Sequence, residues 1–129
     1  MQRVIDLDQA AAAIAERAAW WQAAGLMVGQ VTWRDEAAPW PQQFETDRSL
    51  VRDPDSIGVV ISGPADAELS VVLFRGGWAD VEFHDGLDDI GMLPADGIDS
   101  AAAFGVQLDQ WMPRVFGNDF AARLGDSSD

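Results

Sequence analysis

The stretch IGVVISGPADAELSVVLFRGGWADVEFH, Ile57–His84, decides the fold. It contains three largely apolar runs, Ile57–Ser62, Leu69–Arg75 and Trp78–His84, separated by Gly63-Pro64-Ala65-Asp66 and by Gly76-Gly77. Gly, Pro and Asp favour the backbone angles of turns, so the pattern predicts three consecutive antiparallel strands. The Gly76-Gly77 pair is expected to supply the positive φ angles of a two-residue hairpin turn. In the third run Ala79, Val81 and Phe83 alternate with Asp80, Glu82 and His84. Successive strand side chains point to opposite faces, which makes one face apolar and the other wet.

Towards the N-terminus, Asp8 is a candidate N-cap for a helix running to about Ala24, with Ile14, Ala18 and Trp21 on one face and Gly25 as the residue that ends it. Leu26–Arg34 reads as a strand, Asp35–Glu45 with Pro39-Trp40-Pro41 as an extended loop, and Ser49–Arg52 as a short strand. On the other side of the centre, Ile90–Leu93 reads as a strand ending at Pro94. Asp99 or Ser100 then caps a second helix to about Phe116, with Ala101, Phe104, Leu108, Trp111 and Val115 or Phe116 as its buried stripe. Pro113 is expected to kink that helix or end it early, because proline lacks the backbone donor and clashes with the preceding turn. Asn118–Leu124 has the composition for one or two further helical turns. The resulting class is α+β: an antiparallel five- to six-stranded sheet with an N-terminal and a C-terminal helix packed on one face. A single domain is expected over residues 1–125, with a frayed tail at 126–129.

The 129 residues include 22 acids and 8 basic residues, all Arg, for a formal charge of −14. Residues 1–79 hold 11 acids against 6 Arg, net −5, and residues 80–129 hold 11 acids against 2 Arg, net −9. Such a field repels nucleic acid and anionic membranes and speeds the encounter with basic proteins, although solubility alone also accounts for it. The chain has no Lys, no Cys and one His. These absences exclude a phosphate-loop lysine, a Schiff base, a thiol nucleophile, a thiolate metal site and a multi-histidine zinc site. No Gly-x-Ser-x-Gly or Gly-x-Gly-x-x-Gly motif occurs, and no cofactor is expected. Met1–Asp8 is not followed by a signal-peptide-like apolar run, and Ala10–Ala15 is too short to span a bilayer. A cytoplasmic location is the expectation.

One constellation with chemical potential remains. Asp80, Glu82 and His84 share a strand face with Asp85 beside them, a set that suits either a Mg²⁺ or Mn²⁺ site or acid–base work. The competing reading is a solvated outer face, since three side chains from one strand stand in a row rather than around a centre. The Asp85–Asp89 segment lacks the ligand spacing of a calcium loop and reads as a turn.

Six tryptophans are many for a core of this size, and Trp is enriched among interface anchors. Trp20 and Trp21 are adjacent on a helix and about 100° apart, so Trp21 takes the buried stripe and Trp20 its edge. Trp40, between two prolines, is the first choice for an exposed contact, against the alternative that it folds over the sheet edge. Trp33, Trp78 and Trp111 are assigned to the core. The partner-binding set expected from the sequence is therefore Trp40, Trp20, Asp80, Glu82, His84, Asp85, Asp88 and Asp89, with no catalytic residue and no metal ligand.

In size, charge, Trp content and the Phe74-Arg75-Gly76-Gly77-Trp78 hairpin followed by a C-terminal helix, the chain resembles the small acidic immunity proteins of bacterial polymorphic toxin systems. The resemblance implies a cytoplasmic antitoxin that plugs the active site of a basic nuclease or NAD-consuming toxin with acidic and aromatic side chains. A secretion chaperone or accessory subunit would use the same surface without inhibiting its partner. An enzyme using Asp80, Glu82 and His84 is the third reading.

Overall fold

Burial follows the period-two pattern closely along the central strands. The structure, a computed structural model, describes residues 3–86 and 89–117. Its elements are α1 (Leu7–Ala23), β1 (Met27–Val28), β2 (Thr32–Asp35), β3 (Phe44–Glu45), β4 (Pro54–Ser62), β5 (Glu68–Phe74), β6 (Trp78–His84), β7 (Ile90–Met92) and α2 (Ala101–Phe116). All strand pairings are antiparallel, in the order β3-β2-β4-β5-β6-β7, with β1 also on β4. The α+β class and the two flanking helices are as the sequence predicts.

The count of seven strands arises because the predicted Leu26–Arg34 strand is broken into β1 and β2 and because the end of the predicted Asp35–Glu45 loop forms β3 by pairing with β2. Both halves pair with β4, at Met27↔Ser62 and Val28↔Ile61 and then from Thr32↔Gly58. Gly29 sits at the break: its N–H donates to the Val60 carbonyl, and a Cβ there would stand 3.1 Å from that oxygen. The predicted Ser49–Arg52 strand is instead a 3₁₀ turn, Arg48–Leu50, capped by Asp47, whose carboxylate accepts from Ser49 N–H. Asp at the start of a turn offers the backbone a local acceptor, which here prevails over the β propensity of Val51.

The hairpin between β5 and β6 also differs from expectation. Phe74 pairs with Trp78, leaving three loop residues, Arg75, Gly76 and Gly77. Gly77 alone of its two glycines has a positive φ, 92°, and its N–H donates to the Phe74 carbonyl. A three-residue loop needs one left-handed position where a two-residue loop of the expected type needs two.

Asp6 rather than Asp8 caps α1, accepting from Asp8 N–H and Gln9 N–H. The helix ends as predicted at Gly25, φ 94°, where Gly25 N–H donates to Gln22 and Leu26 N–H to Trp21. That pairing lets Leu26 fold back into the core. Its buried stripe is Leu7, Ala10, Ala13, Ile14 and Trp21, with Ala18 only half-buried. Ser100 caps α2, accepting from Ala103 N–H, and the helix runs through Pro113 to Phe116 without ending early. Pro113 lies in the last turn, where only one intrahelical bond is lost, and Gly117 N–H still reaches its carbonyl. The stripe of α2 is Phe104, Gly105, Leu108, Trp111, Met112 and Val115, with Ala101 half-buried. The further turns predicted over Asn118–Leu124 and the tail at 126–129 lie outside the described residues.

Both helices cover the same side of the sheet and pack on each other. Arg17 bridges them, its guanidinium forking onto Asp109 at 2.8 and 3.1 Å and donating to the Ala13 carbonyl. It lies across Gly105, where a Cβ would stand 2.6 Å from Arg17 Nη2. Beneath the helices the core face of the sheet is Ile57, Val59 and Ile61 of β4, Leu69, Val71 and Leu73 of β5, and Ala79, Val81 and Phe83 of β6. Among the described residues no helix is long and apolar enough to cross a membrane.

The sidedness of β5 is testable on one strand. Leu69→Ala, on the helix-covered face, is expected to cost about 2–5 kcal/mol in urea unfolding. Val72→Thr, on the opposite face, is expected to cost less than about 1 kcal/mol. Equal losses at the two positions would contradict the one-sided core.

Candidate functional site

The side of the sheet away from the helices carries no covering element among the described residues. Register places its side chains in four rows. The first runs Phe44, Arg34, Ser56, Phe74, Trp78; the second Thr32, Gly58, Val72, Asp80. The third runs Val60, Ser70, Glu82, Met92, and the fourth Met27, Ser62, Glu68, His84, Ile90. The chain thus grades this face from aromatic at one end to acidic at the other, because β5 reads Glu68-Ser70-Val72-Phe74 while its neighbour β6 runs back as Trp78-Asp80-Glu82-His84. Phe44, Val60, Trp78, Ile90, Met92 and Met27 are all exposed. A shallow hollow of about 340 Å³ between β6 and β7 is lined by Glu68, Glu82, His84, Ile90 and Met92.

The aromatic end is ordered by direct contacts. Phe74 and Trp78 stack with ring centroids 3.9 Å apart and planes 19° from parallel. The Arg34 guanidinium lies 5.9 Å from the Phe74 ring centre on the same row and forks onto the buried carboxylate of Asp55 at 2.5 to 3.0 Å. Trp78 is therefore 40% exposed and not in the core, which corrects its sequence assignment. Trp33 and Trp111 are buried as expected. Trp78 occupies the same phase of its strand as Asp80 and Glu82, so period two alone already places it on the wet face.

The sequence-predicted site residues fall into separate groups. Asp80, Glu82 and His84 stand together on the open face, two carboxylates and an imidazole in a row, and among the described residues no group of three or more His, Asp or Glu gathers closely enough to hold a metal ion. His84 is engaged by backbone: its Nδ1 accepts from Gly86 N–H at 3.1 Å, with the Asp66 carbonyl 3.3 Å away. Asp85 closes the following turn, its carboxylate accepting from Asp89 N–H. Asp89 is ion-paired at 2.8 Å with Arg114 of α2. Asp88 lies outside the described residues. Trp40, in the loop before β3, is 83% exposed and does not fold over the sheet edge. It is four strands from β6, about 20 Å at ordinary strand spacing, so it does not join the acidic row. Trp20 is 57% exposed, on a helix that covers the opposite side of the sheet. The sequence reading missed Phe44, Val60, Val72, Phe74 and Met92; for Val72 and Phe74 the available signal was the phase of β5 opposite Leu69, Val71 and Leu73.

Charge on the molecule divides into engaged and free groups. Arg3, Arg17, Arg34, Arg48, Arg75 and Arg114 all form ion pairs with carboxylates. Buried Arg75 holds Asp53 at 2.8 Å and also Glu36, tying the hairpin loop to the segments before β4 and after β2. A hollow of about 310 Å³ near the start of α1 is lined by Arg3, Arg48, Arg52 and Arg75, but Asp6 and Asp8 line it too and three of its arginines are paired. By contrast Glu68, Asp80, Glu82 and Asp96 make no salt bridge among the described residues.

Several carboxylates are held below their ordinary range. In Asp8 the hydrogen-bonded Arg48 guanidinium is the main cause, and in Asp53 it is that of Arg3. Buried Asp35 is held low by the backbone N–H groups of Arg52 and Asp53, then of Ala37, which donate at 2.9 to 3.0 Å. Its lowered value means that the stabilisation is present above the ordinary carboxylate value of about 3.9 and lost as pH falls through the folded value. Asp35→Asn is expected to cost about 1–3 kcal/mol at neutral pH. The gap to wild type should close below about pH 4. Parallel stability curves down to strong acid would show that Asp35 is not the anchor described.

In comparisons with known proteins, no family model matches the chain, and neither a curated protein nor a solved structure matches it.

Proposed function

We propose that this chain is a non-catalytic binding protein whose uncovered sheet face docks a basic protein, and that it acts in the manner of an immunity protein by occluding the active site of a toxin. The observation that carries the reading is the composition of that face. Exposed Val60, Trp78 and Met92 adjoin the unpaired carboxylates of Glu68, Asp80 and Glu82, exposed Phe44 lies at the far β3 edge of the same face, and the one cation on the four rows, Arg34, is neutralised by Asp55. Large apolar patches on soluble proteins mark interaction sites. Buried aromatics set the lifetime of a complex, and charge sets encounter rate and partner choice. The carboxylate chemistry favours lysine- and arginine-rich surfaces such as those of enzymes that handle nucleic acid or anionic nucleotides.

The test is affinity capture from the native lysate at low ionic strength with wild type and with a Phe74→Ser/Trp78→Ser variant of verified fold. A basic partner is expected, held at least tenfold more weakly by the variant and associating more slowly as salt rises. Expression of that partner alone should arrest growth and co-expression of this chain restore it. An acidic partner, or a basic one held equally by both proteins, contradicts the assignment of the face; a partner harmless on its own contradicts the antitoxin role.

A further inference from the structure

We propose, resting on the docking face assigned above, that the outer ring face of Trp78 between Asp80 and Asp96 is a subsite for an arginine side chain of the partner. The chain itself supplies the template three times. Arg34 lies over Phe74 and forks onto Asp55; Arg48 lies 5.0 Å over Trp33 and forks onto Asp8; Arg114 lies 4.8 Å over Phe83 and bonds Asp89. In each case one guanidinium lies over an aromatic ring and turns N–H groups to a carboxylate, a combination to which its planar, weakly hydrated fork is better suited than a strongly hydrated ammonium.

Trp78 repeats the arrangement with no guanidinium among the described residues. One face of its indole is stacked on Phe74, which fixes the ring, and 40% of the residue remains exposed. Asp80 follows two residues later on the same strand face, about 6.6 Å along it. Asp96 comes from the neighbouring segment. Ala79 N–H donates to the Ala95 carbonyl at 2.7 Å, continuing the β6–β7 ladder, and Ala95 packs against the core. Asp96, the next residue, is exposed, and carrying the antiparallel Ala79–Ala95 pairing one residue further sets its backbone opposite Trp78. Neither carboxylate has a cation partner among the described residues, so an incoming guanidinium meets a preformed ring and two acceptors. Lys, a strongly hydrated point charge without a flat face, satisfies the carboxylates but gains less from the ring.

Two peptides of equal length and charge, one built on Gly-Arg repeats and one on Gly-Lys repeats, test this by following indole N–H resonances in ¹⁵N-labelled protein, with Trp78 assigned through Trp78→Phe. The arginine peptide is expected to move the Trp78 resonance saturably while those of buried Trp33 and Trp111 stay in place. The lysine peptide should bind there at least fivefold more weakly, and Asp80→Asn/Asp96→Asn should reduce the arginine response at least threefold. Equal responses to both peptides at the sheet face overturn the arginine subsite and leave a docking face for basic partners standing. If neither peptide perturbs any residue of the four open rows, both proposals fail.

Discussion

One-sided burial of a seven-stranded sheet is the constraint from which the rest of this molecule follows. Two helices packed side by side span about 20 Å, and six adjacent strands span about 24 Å. Both helices are therefore required to cover one face, and the described chain has no third element of that size for the other. Leu69, Val71 and Val81 are shielded because α1 and α2 lie above them, while on the other face Val60 and Trp78 are exposed and Val72 is half-buried. A face in that position has to be soluble on its own, and its gradient from Phe74 and Trp78 to Glu68 and Glu82 meets that requirement while keeping a compact apolar end.

The absence of lysine shapes the electrostatics. Every described arginine except Arg52 is tied to a carboxylate, and these ties join segments distant in sequence: Arg3 and Arg75 to Asp53, Arg48 to Asp8, Arg17 to Asp109, Arg114 to Asp89. Guanidinium is suited to this because it can fork onto a carboxylate while lying over a ring: Arg34 and Arg48 do both, and Arg114 lies over Phe83 with a single bond to Asp89. Exposed pairs of this kind add little stability individually. Their larger effect is on the outer field, since cations already paired leave the unpaired charge of the described surface almost wholly negative.

What could be read from the sequence, and what could not, divides along the same physical line. The β4–β6 ladder and both helices were legible because their signals are local: alternation, Asp99 or Ser100 as a cap, Gly25 as a stop. The break at Gly29 was not, because it depends on the carbonyl of Val60 standing against that backbone, a contact between residues far apart in the chain. The turn at Arg48–Leu50 depended on Asp47 acting as a cap in a segment whose residues otherwise read as strand. Of the candidate site, Asp80, Glu82 and His84 were legible as one face. Their connection to Phe44, Val60 and Phe74 required the register of five strands; the separation of Trp40 from them required the strand order, and that of Trp20 required knowing which side the helices cover.

The same register bears on whether the face meets another copy of itself. A two-fold contact sets a patch against its own image, so the aromatic end can bury itself only by bringing Glu68, Asp80 and Glu82 of one copy near those of the other or by leaving the acidic end unmatched. With a formal charge of −14 on each chain, the approach is repulsive at long range as well. The β7 edge is blunted too. Leu93 N–H points to the Val81 carbonyl and Ala79 N–H to the Ala95 carbonyl, so the intervening residue turned outward is Pro94, which has no N–H to offer a further strand. Self-pairing is opposed both across the face and along this edge, while a partner carrying positive charge meets neither obstacle at the face.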